Sequence, residues 1–201
     1  MVWLVTAFEA FGGATTNSSL IALEHLDLSR WRGKVEFFAP VPVTFAEAWP
    51  SVLREANRIS SLKGILCLGQ AEWRRKIEVE KIALNWIDAR ISDNAGVQLL
   101  NQKVEVDGPD ILWSQIPWDR LKPDPDWGTS YSAGTYLCNS LMYNVVRWAK
   151  KNHKKAGFVH FPLLDTQHDV GLQSYLPRME VGVAAQFLAR TFDAMADGSF
   201  E

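Results

Sequence analysis

Cysteine and histidine are scarce in this chain. Its 201 residues include two cysteines and four histidines. Two thiols cannot build a disulfide framework or a four-thiolate zinc site, and no cluster of His, Cys and Asp has the spacing of metal ligands. The pair Gly12-Gly13 lacks the third glycine of a dinucleotide fingerprint and the lysine of a P-loop. The sequence therefore gives no reason to expect a bound metal ion or nucleotide.

The sequence also has no large excess of charge of one sign and no long apolar run. The 21 basic and 23 acidic residues give a net charge of −2, and the basic run at 74–76 is short. Nucleic-acid binding is therefore not expected. No apolar stretch approaches the roughly 18 residues that span a bilayer. No lysine or arginine precedes Arg30, whereas a secretory signal peptide has a basic start. We expect a cytoplasmic protein with free thiols and no membrane partner.

The apolar pattern predicts an α/β fold. Segments typical of strands alternate with segments of helical spacing along the whole chain. The predicted strands are 1–6, 35–43, 64–69, 76–86 and 157–161; the predicted helices are 17–26, 45–59, 132–151 and 178–195; and 101–130 is predicted to be loop. At roughly 150 residues per domain, the length suits one domain. We expect a single α/β domain over residues 1–201, with a twisted, mostly parallel sheet and helices on both faces in three layers.

The two cysteines have different settings. Cys138 lies in the first turns of a predicted helix. Unpaired backbone N–H groups and the positive end of the helix dipole favour a thiolate there, which is the nucleophilic form of cysteine. The alternative is that Cys138 is a small buried apolar residue. Cys67 lies within the apolar run GILCLG, and we expect it to be inert core.

His160 is the best candidate for a general base. It ends a short apolar strand, GFVHFP, and a histidine of ordinary pKa can exchange a proton with a thiol. A core histidine bonded to the backbone is the alternative. Glu78 and Glu80 lie on the same face of a predicted strand, so either could orient an imidazole, and spacing does not choose between them.

Arg90 is the candidate for stabilising a developing negative charge. It lies in the run DARISDN, where a fixed cation could serve an oxyanion. Pairing with Asp88 or Asp93 is the alternative.

Four blocks in this order carry a resemblance to a known family. They read VTAFEAFGGATTN (5–17), GQAEWRRKIEVEKIALNWIDARISDN (69–94), SYSAGTYLCN (130–139) and GFVHFP (157–162), with a weaker fifth block GPDILWSQIP (108–117). The sequence resembles the pyroglutamyl peptidase type I family, also called pyrrolidone-carboxylate peptidases. The resemblance runs, with gaps, over essentially the whole chain.

The resemblance implies a cysteine peptidase that removes an N-terminal pyroglutamyl residue from peptides through a thioester, without a cofactor. It makes Cys138 the nucleophile, His160 the general base and acid, Glu80 rather than Glu78 the orienting carboxylate, and Arg90 an oxyanion contributor. It also implies a homo-oligomer, usually a tetramer. The substrate-binding residues that it implies are Phe8, Phe11, Asn17, Gln70, Tyr136 and Leu137.

Three departures from the family pattern leave alternatives open. Ala7 and Ala10 replace the usual glycine and proline of the first block, and Glu72-Trp73 replace a glycine pair after the central strand. Segment 118–130 is shorter than is usual in the family and lacks most of a helix. A relative with little or no catalytic activity, which keeps the fold as a small-molecule or peptide-binding protein, is therefore the second reading. A phosphate- or nucleoside-handling enzyme would need an anion cradle that the sequence does not show.

Overall fold

The computed structural model describes residues 1–168 and 175–200 of the chain. The strands in chain order are β1 (Val2–Phe8), β2 (Val35–Val41), β3 (Leu62–Gln70), β4 (Ile77–Glu80), β5 (Ile82–Leu84), β6 (Ile111–Trp113), β7 (Trp127–Ser130), β8 (Lys155–Phe161), β9 (Leu163–Leu164) and β10 (Arg178–Met179). The helices are α1 (Ser18–Glu24), α2 (Ala48–Arg58), α3 (Leu137–Lys151) and α4 (Val181–Ala196), with short 3-10 turns at Leu28–Trp31 and Trp118–Arg120.

Six strands form the central sheet in the order β2-β1-β3-β8-β4-β7. Neighbouring strands are parallel except β4 and β8, which run antiparallel. The continuous apolar run of β3 fits its central place, because a parallel strand covered on both faces presents no polar side. The mostly parallel sheet confirms the prediction from sequence.

Helices cover both faces of this sheet. Trp3 and Leu66 belong to the core beside α1 and α4, whereas Leu4 and Ile65 belong to the core beside α2 and α3. This division follows from the alternation of side chains along a strand. The three-layer arrangement is therefore confirmed.

Several element boundaries differ from the predictions. The predicted strand 76–86 is two strands, because β4 joins the central sheet while β5 pairs with β6 in a separate hairpin. The helix predicted from residue 132 begins at Leu137. The turn before it contains Gly134 at φ +79°, which is left-handed and not helical. The loop predicted at 101–130 contains β6 and the edge strand β7, each too short to show a periodic pattern.

Candidate site residues lie where three strands of the sheet end. Phe8, Gln70 and Phe161 close β1, β3 and β8, which run in parallel, so their carboxyl ends share one edge. In open α/β sheets this edge is the usual place for ligand binding. In residues 1–168 and 175–200, no helix is long and apolar enough to cross a bilayer.

Candidate active site

A buried imidazole and a buried carboxylate are joined near the end of β8. His160 Nδ1 lies 2.7 Å from Glu80 Oε1, and both side chains are almost completely buried. With Glu80 ionised, Nδ1–H donates to the carboxylate, and Nε2 keeps its lone pair as a base. Of the two glutamates that spacing could not separate, the structure pairs Glu80 with the imidazole.

Arg74 contacts the same carboxylate. Its Nη2 lies 2.9 Å from Glu80 Oε1 and donates to the carbonyl oxygen of Ser132, also at 2.9 Å, while Nη1 contacts Glu78. Arg74 therefore links the orienting carboxylate to the turn that precedes α3. In the sequence, Arg74 stands out only as part of a short basic run, although it lies within the second block of the family resemblance.

Burial and these charges set the ionisation of the pair. Burial lowers the pKa of His160 from 6.5, and the positive charge of Arg74 lowers it further, against the opposing effect of Glu80. Burial alone would raise the pKa of Glu80, but the hydrogen bond and charge of His160, together with Arg74, bring it below 4.5. At neutral pH the site therefore holds an ionised carboxylate beside a neutral imidazole.

Cys138 stands on the same face of the sheet as His160. It is the second residue of α3, a helix that packs on the face formed by Cys67 and Phe158. In the register of β3 and β8, Cys67 opposes Phe158 and Gly69 opposes His160, so alternation places Gly69 and His160 on that face as well. The thiol and the imidazole therefore share one side of the sheet, at its carboxyl edge.

Gly69 makes room for the thiol. A Cβ atom added there would lie 3.3 Å from Cys138 Sγ and 2.8 Å from the Phe158 ring. The second distance is too short for a real contact, so a side chain at this position would have to displace the ring. The absence of a side chain lets the sulfur lie against β3, beside the strand that carries the base.

The thiol is protonated in the unliganded protein. Burial raises the pKa of Cys138 to about 12, and the charge of Glu80 adds to the effect, against the opposing charge of Arg74. This reverses the expectation from the helix terminus alone, because the loss of water outweighs the backbone N–H groups. Burial also raises the pKa of Cys67 to about 12, in agreement with its predicted place in the core.

A small pocket opens beside Cys138. It holds about 240 Å³ of space unoccupied by atoms, including its mouth, and is lined by Phe8, Phe11, Asn17, Val43, Gln70, Tyr136, Leu137 and Cys138. All six residues predicted to bind substrate are therefore brought together with the thiol. Val43, which follows β2, was missed because an apolar residue after a strand carries no functional signal.

Aromatic side chains build the walls of this pocket. The Tyr136 ring lies 6.5 Å from Phe11 and 5.6 Å from Phe45, the latter in an edge-to-face contact. The Tyr136 hydroxyl donates to the Ser92 carbonyl oxygen at 3.1 Å, and this hydrogen bond holds the ring against the loop that contains Ser92. The aromatic side chains of the pocket wall are thus held in place by their own contacts.

Asn17 has a structural task as well as its place in the pocket. Its Oδ1 accepts hydrogen bonds from the backbone N–H and the hydroxyl of Ser19, and its Nδ2 donates to the Glu9 carbonyl oxygen. It is the N-cap of α1, whereas the sequence leaves the cap open between Asn17 and Ser18. Within the described residues, the second Nδ2 hydrogen has no acceptor.

Arg90 lies on an exposed bend beside the turn that leads into α3. The chain is held there by hydrogen bonds from Asp88 N to Thr135 O and from Thr135 Oγ1 to Asp88 O, both of 2.9 Å. Among residues 1–168 and 175–200, Arg90 forms no ion pair with Asp88 or Asp93. Asp93 instead accepts from the backbone N–H groups of Phe45, Ala95 and Val97.

The residue pair at 72–73 lies in the turn after β3. Trp73 is 66% exposed and its ring lies 6.0 Å from that of Tyr175. Neither residue of the pair lines the pocket. In the part of the chain that the structure describes, no group of three His, Cys, Asp or Glu side chains is placed to hold a metal ion.

The fold and site together define an α/β protein with the side chains of a cysteine peptidase, gathered around a small aromatic pocket. Comparison with known proteins identifies the family. A model of the pyroglutamyl peptidase family matches residues 1–196. The chain belongs to the pyroglutamyl peptidase family.

Individual relatives agree with this assignment. The chain is 33% identical to a pyrrolidone-carboxylate peptidase of Vibrio campbellii, covering 96% of this chain and 92% of the relative. It is 36% identical to one of a Thermoanaerobacter species, covering 89% and 90%. The solved structure of pyroglutamyl peptidase I from Bacillus amyloliquefaciens matches with a TM-score of 0.82 at 30% identity, covering 98% of this chain and 96% of that one.

Proposed function

We propose that this protein is a cysteine peptidase that hydrolyses the amide bond after an N-terminal pyroglutamyl residue of a peptide, through a thioester with Cys138. The observation that carries the proposal is the pocket itself, which places a thiol among aromatic walls on the face of the sheet that holds His160 and Glu80. The family and the names of its relatives support the same activity.

The lining of the pocket suits the chemistry of a pyroglutamyl ring. The ring is small, flat and uncharged, so aromatic walls can hold it while one or two amide groups fix its orientation. Phe8, Phe11 and Tyr136 supply the walls, and Gln70 and Asn17 supply the amides. A peptide with a free, charged N-terminal amine would lose water there without gaining a partner.

Bond cleavage begins with proton transfer from the thiol. Because Cys138 is protonated and His160 is neutral, His160 Nε2 takes the proton as Sγ attacks the pyroglutamyl carbonyl carbon. The resulting oxyanion forms beside the first turn of α3, whose backbone N–H groups lack partners within the helix. Arg90, on the adjoining bend, is the proposed second source of positive charge.

Collapse of this intermediate breaks the amide bond. The leaving nitrogen takes the proton from His160, and the pyroglutamyl group stays on Cys138 as a thioester. Water then attacks the thioester while His160 accepts a proton from it, and pyroglutamate leaves as the thiol is protonated again. Glu80 stays ionised throughout and stabilises the imidazolium that forms in each half of the reaction.

Cleavage of a pyroglutamyl-linked fluorogenic amide tests the proposal. The wild type should release the fluorophore, Cys138→Ala should not, and Cys67→Ala should remain active because its sulfur is buried core. A folded wild type that leaves this substrate intact, yet binds pyroglutamyl peptides, would instead support the binding-protein reading.

Assembly and location complete the proposal. We expect a homo-oligomer, a tetramer by family resemblance, in the cytoplasm. Trp113 and Tyr131 are each 61% exposed with rings 6.4 Å apart, and Ile111 on the same strand as Trp113 is 49% exposed. This apolar face supports contact between copies. Light scattering should give a multiple of the monomer mass, and Trp113→Lys should lower it if this face is the contact.

A further inference from the structure

A completely buried amide, Gln167, joins three segments of the chain behind the pocket. Its Oε1 accepts from the backbone N–H of Leu164 at 2.9 Å, and its Nε2 donates to Gln70 Oε1 at 3.0 Å and Thr16 Oγ1 at 3.2 Å. A backbone N–H can only donate, so the oxygen of this amide must face Leu164. The NH₂ group is thereby directed towards Gln70.

Gln70 is fixed in the same way. Its Oε1 accepts from the backbone N–H of Ser18 at 2.8 Å as well as from Gln167. Both lone pairs of the oxygen are then occupied, and the Ser18 donor excludes the flipped amide. Within the described residues no acceptor is bonded to Gln70 Nε2, and Gln70 lines the pocket. The group left for a ligand is therefore a donor with two hydrogens.

The other amide of the pocket is largely used by the protein. Asn17 Oδ1 accepts hydrogen bonds from the backbone N–H and the hydroxyl of Ser19, and Asn17 Nδ2 donates one hydrogen to the carbonyl oxygen of Glu9. In the described part of the chain, Gln70 is thus the amide whose whole NH₂ group is available, and two donors to its oxygen, Ser18 N–H and Gln167 Nε2, together set its direction.

We propose that Gln167 is a positioning residue that holds the Gln70 NH₂ group towards the pocket and so makes a ring carbonyl the preferred partner there. This inference rests on the proposed function, since the ring that it selects is the lactam of a pyroglutamyl group. The lactam oxygen accepts from Gln70 Nε2, and a ring with a weaker acceptor leaves that buried donor unpaired.

Gln167→Glu is the sharpest variant. A carboxylate at this position can still accept from Leu164, but it cannot donate to Gln70 Oε1 and instead attracts the NH₂ group of Gln70. The Gln70 oxygen then turns towards the ligand carbonyl. Gln167→Met is the second variant; it removes the donor without adding a competing acceptor, so its effect has the same direction and is smaller.

Asn85→Asp is the matched control. Asn85 is a buried amide whose Nδ2 donates to the carbonyl oxygens of Glu105 and Gly108 and whose Oδ1 accepts from Glu105 N. It does not line the pocket. The same amide-to-acid change therefore tests the cost of a buried carboxylate alone.

Two measurements separate positioning from a general loss of structure. With the pyroglutamyl fluorogenic amide, Gln167→Glu should raise KM about tenfold or more and change kcat only about twofold, as expected for a lost hydrogen bond in binding. Calorimetry should show that wild type binds 2-pyrrolidone more tightly than 2-thiopyrrolidone, whose sulfur is a weak acceptor. This preference should shrink in both Gln167 variants and persist in Asn85→Asp.

A double variant tests whether Gln167 acts through Gln70. In a Gln70→Met background, Gln167→Glu should change KM no further, because the amide that it orients is gone. A wild-type ligand preference that survives in both Gln167 variants would overturn the inference. The binding experiment needs no turnover, so a wild type that binds the lactam selectively but does not cleave would refute the proposed peptidase and leave this inference supported.

Discussion

His160 Nδ1 and Glu80 Oε1 are 2.7 Å apart, although the residue directly opposite His160 in the sheet is Glu78. Glu80 opposes Phe158 and reaches the imidazole along the diagonal of the antiparallel pair. Glu78, directly opposite His160, pairs with Arg74 and not with the imidazole, while Arg74 contacts both glutamates. The two glutamates therefore have separate tasks although they share one face of β4.

Glu80→Gln should lower kcat by about 10²- to 10⁴-fold, because an amide cannot stabilise the imidazolium as a carboxylate does. Glu78→Gln is the matched control, and it should change kcat by only a few fold. Steady-state kinetics on the pyroglutamyl amide measure both. A larger loss with Glu78→Gln than with Glu80→Gln would reassign the orienting carboxylate.

Arg74→Met should move the acid limb of the kcat/KM profile to higher pH. The base must be neutral to act, so activity is lost as the pH falls through the pKa of His160, which the charge of Arg74 lowers. Arg74→Lys keeps the charge and should show a smaller displacement. Arg75→Met, one residue along on an exposed side chain, should leave the limb in place; an equal displacement there would argue against a specific effect of Arg74.

Stability should fall as the pH decreases from 6.5. The pKa of His160 in the folded chain lies below its ordinary 6.5, so the unfolded state binds more protons in this range. The free energy of unfolding therefore decreases as the pH falls. Glu80, whose pKa is lowered from 4.5, adds its own loss only at more acidic pH. Denaturant unfolding at a series of pH values should show a shallower decline between pH 6.5 and 5 for His160→Asn. An identical slope in wild type and variant would contradict a buried, neutral imidazole.

Gly69→Ala should reduce kcat by about tenfold or more and lower the melting temperature. The new methyl group meets the Phe158 ring at 2.8 Å and lies against Cys138 Sγ, and such overpacking costs about 1–3 kcal/mol. Gly182→Ala, in α4, meets nothing within 4 Å and should keep full activity. Equal activity of the two variants would show that the space beside Gly69 is not needed.

Much of the fold follows from local patterns. The run GILCLG predicts a buried strand because a central parallel strand is apolar on both faces. A capping residue, Asn17 or Ser18, before an apolar segment predicts the start of α1, and Asn17 is the cap. The edge strand β7 was missed because four residues, Trp127–Ser130, carry no usable period. The small residues before Leu137 resemble a helix start and predict α3 from residue 132, whereas the left-handed backbone of Gly134 delays its start to Leu137.

Local sequence patterns predict less of the site than of the fold. The place of Cys138 at the start of a predicted helix and the place of His160 at the end of a predicted strand indicate both as candidates. The alternation of side chains along a strand puts Glu78 and Glu80 on the same face, so it cannot decide between them. The tasks of Arg74 and Gln167 depend on contacts between segments distant in sequence, Arg74 to Ser132 and Gln167 to Gln70. No local pattern records such contacts.

The thioester at Cys138 is the central claim, and its direct test is mass spectrometry of protein mixed with a pyroglutamyl amide and quenched in acid within the first turnover. We expect the peptide that contains Cys138 to carry one pyroglutamyl group, lost on longer incubation in buffer, while the peptide that contains Cys67 stays unmodified. Acylation of Cys67, or undiminished turnover by Cys138→Ala, would contradict it.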